Sequence, residues 1–206
     1  MSKHFDESAA NWDDDQRRKN TAMELAEAMK KHIALDNTLT ALDFGCGTGL
    51  LSMHLLPYLK ELLGIDTSKE MLNEFRQKIN LQKLENVKLM NIDWEDGEFA
   101  PEFFDLIYSS LAFHHIQGYE RLLELFHPAL KDGGRLLIAD LFAEDGDFHS
   151  DPSIAEHRGF DPEEFKALLL KIGFGSVSYE KVHTIEKEVK NGEKKEFPVF
   201  LMAAEK

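Results

Sequence analysis

Apolar positions along the chain alternate between two periods. Over residues 8–32, Leu25, Ala28, Met29 and His32 fall on one stripe at spacings of three and four, which predicts a helix. Asn37 and Thr38 break that pattern. Residues 39–44 are then short, apolar and β-compatible, and they run into Gly45-Cys46-Gly47-Thr48-Gly49. A helix is expected over 50–59, and a second strand over 62–65 ends at Asp66. Ser68 is a favourable N-cap for the next helix, whose apolar stripe is Met71, Leu72, Phe75 and Ile79. Strands over 87–92, 104–108 and 135–141 follow. A helix over 119–130, closed by Asp132-Gly133-Gly134, precedes the last of them. Residues 143–160 lose all period and are rich in Asp, His and Gly, as loops over functional sites often are. Asp161-Pro162 starts a helix that stops at Gly173. Two strands, 177–184 and 196–202, then flank a turn at Asn191-Gly192. Strands alternating with helices predict an α/β fold with a mostly parallel sheet covered on both faces, closed by an antiparallel hairpin.

The glycine-rich segment carries the first chemistry. Closely spaced glycines between a strand and a helix let backbone approach a ligand and turn free amides toward it. An acid ending the next strand, here Asp66, sits where ribose hydroxyls are held in open α/β sheets. The spacing discriminates among nucleotides. A dinucleotide loop wants a glycine or alanine where Leu50 stands, and no Gly-Lys-Ser/Thr follows to make a phosphate loop.

Leu42-Asp43-Phe44-Gly45-Cys46-Gly47-Thr48-Gly49 resembles the first motif of class I S-adenosylmethionine-dependent methyltransferases. Gly64-Ile65-Asp66-Thr67-Ser68, Asn91-Ile92-Asp93-Trp94, Phe104-Asp105-Leu106-Ile107-Tyr108-Ser109-Ser110 and Leu130-Lys131-Asp132-Gly133-Gly134 resemble the later motifs, in order. The likeness covers roughly residues 35–205. It implies a doubly wound, Rossmann-like, seven-stranded sheet with a C-terminal antiparallel hairpin, and S-adenosylmethionine as cofactor. It also implies roles: Asp43 orienting the loop and the methionine moiety, Gly45, Cys46, Gly47, Thr48 and Gly49 lining the cofactor, and Asp66 with Thr67 at the ribose. Asp93 would receive the adenine amine and Trp94 would pack on the ring. Met71 is either core or a further adenine contact, and Ser109 falls in the fourth motif beside the cofactor.

Composition narrows the acceptor. With 24 Lys and Arg against 38 Asp and Glu, the net charge of −14 disfavours nucleic acid and anionic membrane as partners. The single cysteine forbids an intrachain disulfide, and no apolar run is long enough for a membrane span, so a cytoplasmic protein is expected. Nucleic-acid amino-methyltransferases carry an Asp/Asn-Pro-Pro-Tyr/Phe motif where this chain has Ser109-Ser110-Leu111-Ala112, and Cys46 lies in the wrong place for a cytosine-C5 nucleophile. Phe113-His114-His115-Ile116 resembles the segment of small-molecule methyltransferases of the quinone-biosynthesis type, where one His faces the acceptor. His114 and His115 are therefore the catalytic candidates, His114 facing the methyl and His115 packing beneath. Residues 1–34 are expected as a helical lid on a methyltransferase domain over 35–206. Phe5 and Trp12 from that lid, and His157 and Arg158 from the 143–160 loop, are expected to wall the pocket for a small-molecule acceptor. With nine histidines scattered and no His-Glu-x-x-His or Cys/His cluster, no metal site is expected. The rival reading is a noncatalytic S-adenosylmethionine- or nucleotide-binding regulatory protein.

Overall fold

The computed structural model describes residues 2–93 and 99–206. Seven strands, β1 Leu39–Phe44, β2 Leu59–Asp66, β3 Val87–Asn91, β4 Phe104–Ser110, β5 Leu130–Leu141, β6 Val177–Glu188 and β7 Lys194–Glu205, form one sheet in the order β3-β2-β1-β4-β5-β7-β6. The first five run parallel; β7 is antiparallel to both β5 and β6. Strand order reverses between β1 and β4, which opens a crevice at their carboxyl ends. This is the doubly wound architecture with a closing hairpin that the sequence predicts.

Side chains alternate across the sheet with period two. Ala41, Leu106, Leu137 and Leu201 face a layer built by α2 Gln16–Lys30, α3 Ser52–Leu55 and α4 Lys69–Gln82. Their neighbours Leu42, Ile107, Leu136 and Met202 face α5 Tyr119–Ala129 and α6 Pro162–Ile172. Phe75 on one face and Phe126 on the other are fully buried, each contributing about 1.5–3 kcal/mol relative to an exposed ring. The predicted caps form: Ser68 Oγ accepts from the Met71 amide at 3.2 Å, and Asp161 from the Glu163 amide at 2.8 Å. Among the described residues, no helix is long and apolar enough to cross a membrane.

Departures from the predicted boundaries are largest in four places. The helix expected over 8–32 is broken into α1 Ser2–Ser8, a 3-10 turn Ala9–Asp14 and α2, because Asp15 turns extended and caps α2 through the Arg17 amide. Helix α2 belongs to the core, with Leu25, Ala26 and Met29 buried against the sheet, so only residues up to Asp14 lie outside the sheet's helical layers. The helix expected over 50–59 shrinks to α3 and a 3-10 turn. Pro57 lacks an amide donor, and Leu59 is already paired with Leu39. Strand β5 begins at Leu130, five residues early. Asp132-Gly133-Gly134 forms an irregularity within the strand, where the Gly133 amide and the Gly134 carbonyl bond to Lys206. The hairpin extends as far as a Glu188–Lys194 pair, where charged residues mask the strand pattern.

Candidate active site

The turn out of β1 is held by β2. The amides of Gly45 and Cys46 both donate to the Ile65 carbonyl, at 2.9 and 3.0 Å. Asp66 closes the arrangement. Its carboxylate accepts from the Gly47 amide and from the Ser68 amide, each at 2.8 Å, and burial pushes its carboxyl above the usual range. A carboxylate offers about four acceptor positions, so acceptor capacity remains for hydroxyls of a ligand. Gly47 has φ +52°, and a Cβ built there meets nothing within 4 Å, so its open side faces free space. Asp43 sits beneath the loop, 2% exposed. It accepts from Ser52 Oγ at 2.5 Å, and Ser52 Oγ in turn lies 2.6 Å from the Tyr108 hydroxyl. Burial pushes the Asp43 carboxyl up to about 7.

The N-terminal segment is tied across this loop by its acids. Asp6 accepts from Ser68 Oγ at 2.6 Å and from the Glu70 amide at the start of α4. Asp13 accepts from Thr48 Oγ1 at 2.7 Å and pairs with Lys78, which also donates to the Thr48 carbonyl. These bonds roof a cavity of about 830 Å³ that runs from Met71, Ile92 and Asp93 past the loop to Ala112, His114 and His115. Phe5 and Trp12 line it; their ring centroids are 5.8 Å apart, and Phe5 stands edge-on to His115 at 5.1 Å.

Beyond the loop the walls are polar side chains. His114, 1% exposed, places Nδ1 2.7 Å from Asp140 Oδ1 and Nε2 3.0 Å from His149 Nε2. His115 donates from Nδ1 to the Ile154 carbonyl at 2.6 Å. Burial, with His114 next to it, drives His115 down to about 2, and burial, then His114 and Lys187, take His149 to about 4. Both are neutral at physiological pH, and so low a value makes His115 a feeble proton acceptor. Arg17, Arg18 and Lys187 also line the cavity, with the Arg18 guanidinium 3.7 Å over the Trp12 ring.

Most of the predicted residues meet here: Asp43, Gly45, Cys46, Gly47, Thr48, Asp66, Thr67, Met71, Asp93, His114, His115, Phe5 and Trp12 all line the one cavity. Four do not. Gly49 is a packing glycine, since a Cβ there would lie 2.4 Å from the Phe75 ring. Ser109 is fully buried and donates to the Phe44 carbonyl at 2.7 Å, a strand-to-strand bond. His157 turns away to the Ile116 carbonyl and the Tyr119 ring, while Arg158 stacks alongside Gly146. Trp94 lies outside the described residues. Sequence reasoning missed Asp140, although an acid closing the apolar run of β5 was a visible signal. It also missed the acids Asp6 and Asp13 and the cations at 17, 18 and 187, which carry no local motif. The histidines are not scattered as expected; loop 143–160 brings His149 onto the His114-His115 turn.

A methyltransferase-domain family model matches residues 42–138. An uncharacterized methyltransferase of Schizosaccharomyces pombe is 32% identical over 145 residues, 63% of this chain and 51% of that protein. The demethylmenaquinone methyltransferase of Porphyromonas gingivalis is 28% identical, covering 64% of this chain and 52% of its own. The crystal structure of the YcgJ protein from Bacillus subtilis superposes with a TM-score of 0.73 at 21% identity, covering 88% of this chain and 97% of that one. The chain spans about half the length of the curated relatives it matches. Motifs, strand order and family match converge: residues 42–138 match a methyltransferase domain, and the chain resembles the class I S-adenosylmethionine-dependent methyltransferases of the type 11 kind.

Proposed function

We propose that the chain binds S-adenosylmethionine and transfers its methyl group to a small organic acceptor that carries an anionic group. The observation that carries this reading is the single cavity joining the Gly47–Asp66 end to the histidine end under one roof. The residues present fit the cofactor. Asp66 keeps acceptor capacity that would hold ribose hydroxyls, Met71, Ile92 and Asp93 would border the adenine, and the open face of Gly47 would admit the methionine portion. Asp43, beneath the loop and lining the cavity, would oppose the cationic end of that moiety.

The bound cofactor supplies an activated methyl on a sulfonium. The chain's own part is to align an acceptor in line with it and keep water out. Phe5 and Trp12 supply an apolar wall, and residues up to Asp14 act as the lid, held by Asp6 and Asp13. Arg17, Arg18 and Lys187 gather three cations at one cavity in a chain of net charge −14, which supports an anionic handle on the acceptor. The volume of about 830 Å³ suits a cofactor plus a small molecule. The lone buried cysteine supports a reducing, cytoplasmic setting.

Incubating the protein with S-adenosylmethionine and a fractionated pool of small anionic metabolites tests this. Release of S-adenosylhomocysteine in an acceptor-dependent manner is expected, and it should vanish in Asp66→Ala. Tight cofactor binding with no release from any fraction would favour the noncatalytic regulatory reading.

A further inference from the structure

Three histidines converge in the cavity from segments 35 residues apart, His114 and His115 from the turn after β4 and His149 from the loop after β5. We propose that His114, His115 and His149 bind one divalent transition-metal ion of the zinc kind, with a fourth coordination position open to the methyl acceptor. One ligand nitrogen from each lies within 4.8 Å of the others, and the Nε2 atoms of His114 and His149 are 3.0 Å apart. Nitrogens bound tetrahedrally to zinc at about 2.0–2.1 Å stand about 3.3 Å from one another. Side-chain rotations that bring all three nitrogens from within 4.8 Å to that spacing, His149 carried by the loop, complete the site.

The outer shell is already built. Asp140, fully buried, holds His114 Nδ1 at 2.7 Å and also accepts from the amides of His114 and Leu141. That is the carboxylate–histidine arrangement that orients metal ligands. The Ile154 carbonyl can only accept, so His115 Nδ1 carries its proton and Nε2 keeps its lone pair. The same logic at Asp140 leaves His114 Nε2 as a lone pair. Without an ion, His149 Nε2–H donates into it. With one, that proton shifts to Nδ1 and no net charge changes. All three cluster members also line the cavity that holds Asp66 and Gly47.

An ion here would bind the acceptor's hydroxyl or thiol as its anion, releasing one proton to solvent. The acceptor's lone pair then forms the new bond to carbon as the carbon–sulfur bond breaks and its pair returns to sulfur. This role rests on the methyl-transfer reading above; the metal site does not.

The test is a Co(II) titration of chelator-treated full-length protein, followed by visible absorption, with S-adenosylmethionine calorimetry in parallel. One equivalent should bind with a tetrahedral spectrum and be displaced by Zn(II). His149→Ala should weaken binding by more than about 100-fold and Asp140→Asn by about 10–100-fold, while cofactor affinity in His149→Ala stays within about twofold. No uptake by the wild type, or equal uptake by wild type and His149→Ala, overturns the site. Cofactor binding without metal uptake removes only the metal site, whereas metal uptake without cofactor binding removes only the methyl-transfer reading.

Discussion

The two ends of the cavity are built from different materials. At the Gly47 end the contacts are mostly backbone: amides of Gly45 and Cys46 on Ile65, and the amides of Gly47 and Ser68 on Asp66. The pieces lie at the ends of two adjacent parallel strands. At the His114 end they are side chains drawn from the N-terminus, the turn after β4, the loop after β5 and the tip of β6. A backbone-built end tolerates sequence change everywhere except at its glycines and acids, and so keeps one ligand. A side-chain-built end can be remade residue by residue, and so is where the proposed acceptor would be chosen.

This contrast breaks most sharply at Gly47. A Val there must take φ +52° and fill the open face, so it should abolish S-adenosylmethionine binding, by more than about 100-fold, while the core still melts cooperatively. A thermal-shift comparison with and without cofactor reads both. His114→Ala should do the converse if the side chain serves the proposed methyl-transfer step: turnover falls by about 10–100-fold and cofactor affinity barely moves. If that variant loses the cofactor instead, the two ends are not separable. Asp66→Ala removes the charged acceptor proposed for the ribose and should cost about 1.5–3 kcal/mol of cofactor binding by calorimetry.

Protonation sharpens the picture further. Burial raises the free Asp43 carboxyl to about 7, and a cationic ligand beside it favours the ionised form, which lowers that value in the complex. Cofactor affinity is therefore full above pH 7 and weakens as pH falls through it, by up to about tenfold per unit. Asp43→Asn should flatten the profile. The smallest effect belongs to the rim. Arg18→Ala should raise the acceptor KM about three- to tenfold with kcat little changed, the mark of uniform binding.

The same contrast explains what was legible in the sequence. The succession of strands and helices, the glycine loop and Asp66 follow from local patterns, since apolar period and glycine spacing are properties of neighbouring residues. Asp140 and His149 become partners of His114 only through sheet register and the path of a loop without period. Asp15 broke a predicted helix because a cap competes with an apolar stripe and wins locally. Gly49 and Ser109 fit the cofactor motif by position, yet Phe75 and the Phe44 carbonyl occupy them. A motif states which residues are near a site; packing decides which of them face it.

A crystal structure of the protein soaked with S-adenosylhomocysteine tests the division of the cavity most directly. The account predicts both ribose hydroxyls on the Asp66 carboxylate, the homocysteine chain over Gly47, and the sulfur directed toward the His114–His115 turn. A cofactor lying with its adenine at the histidines, or bound clear of Asp66, would contradict it.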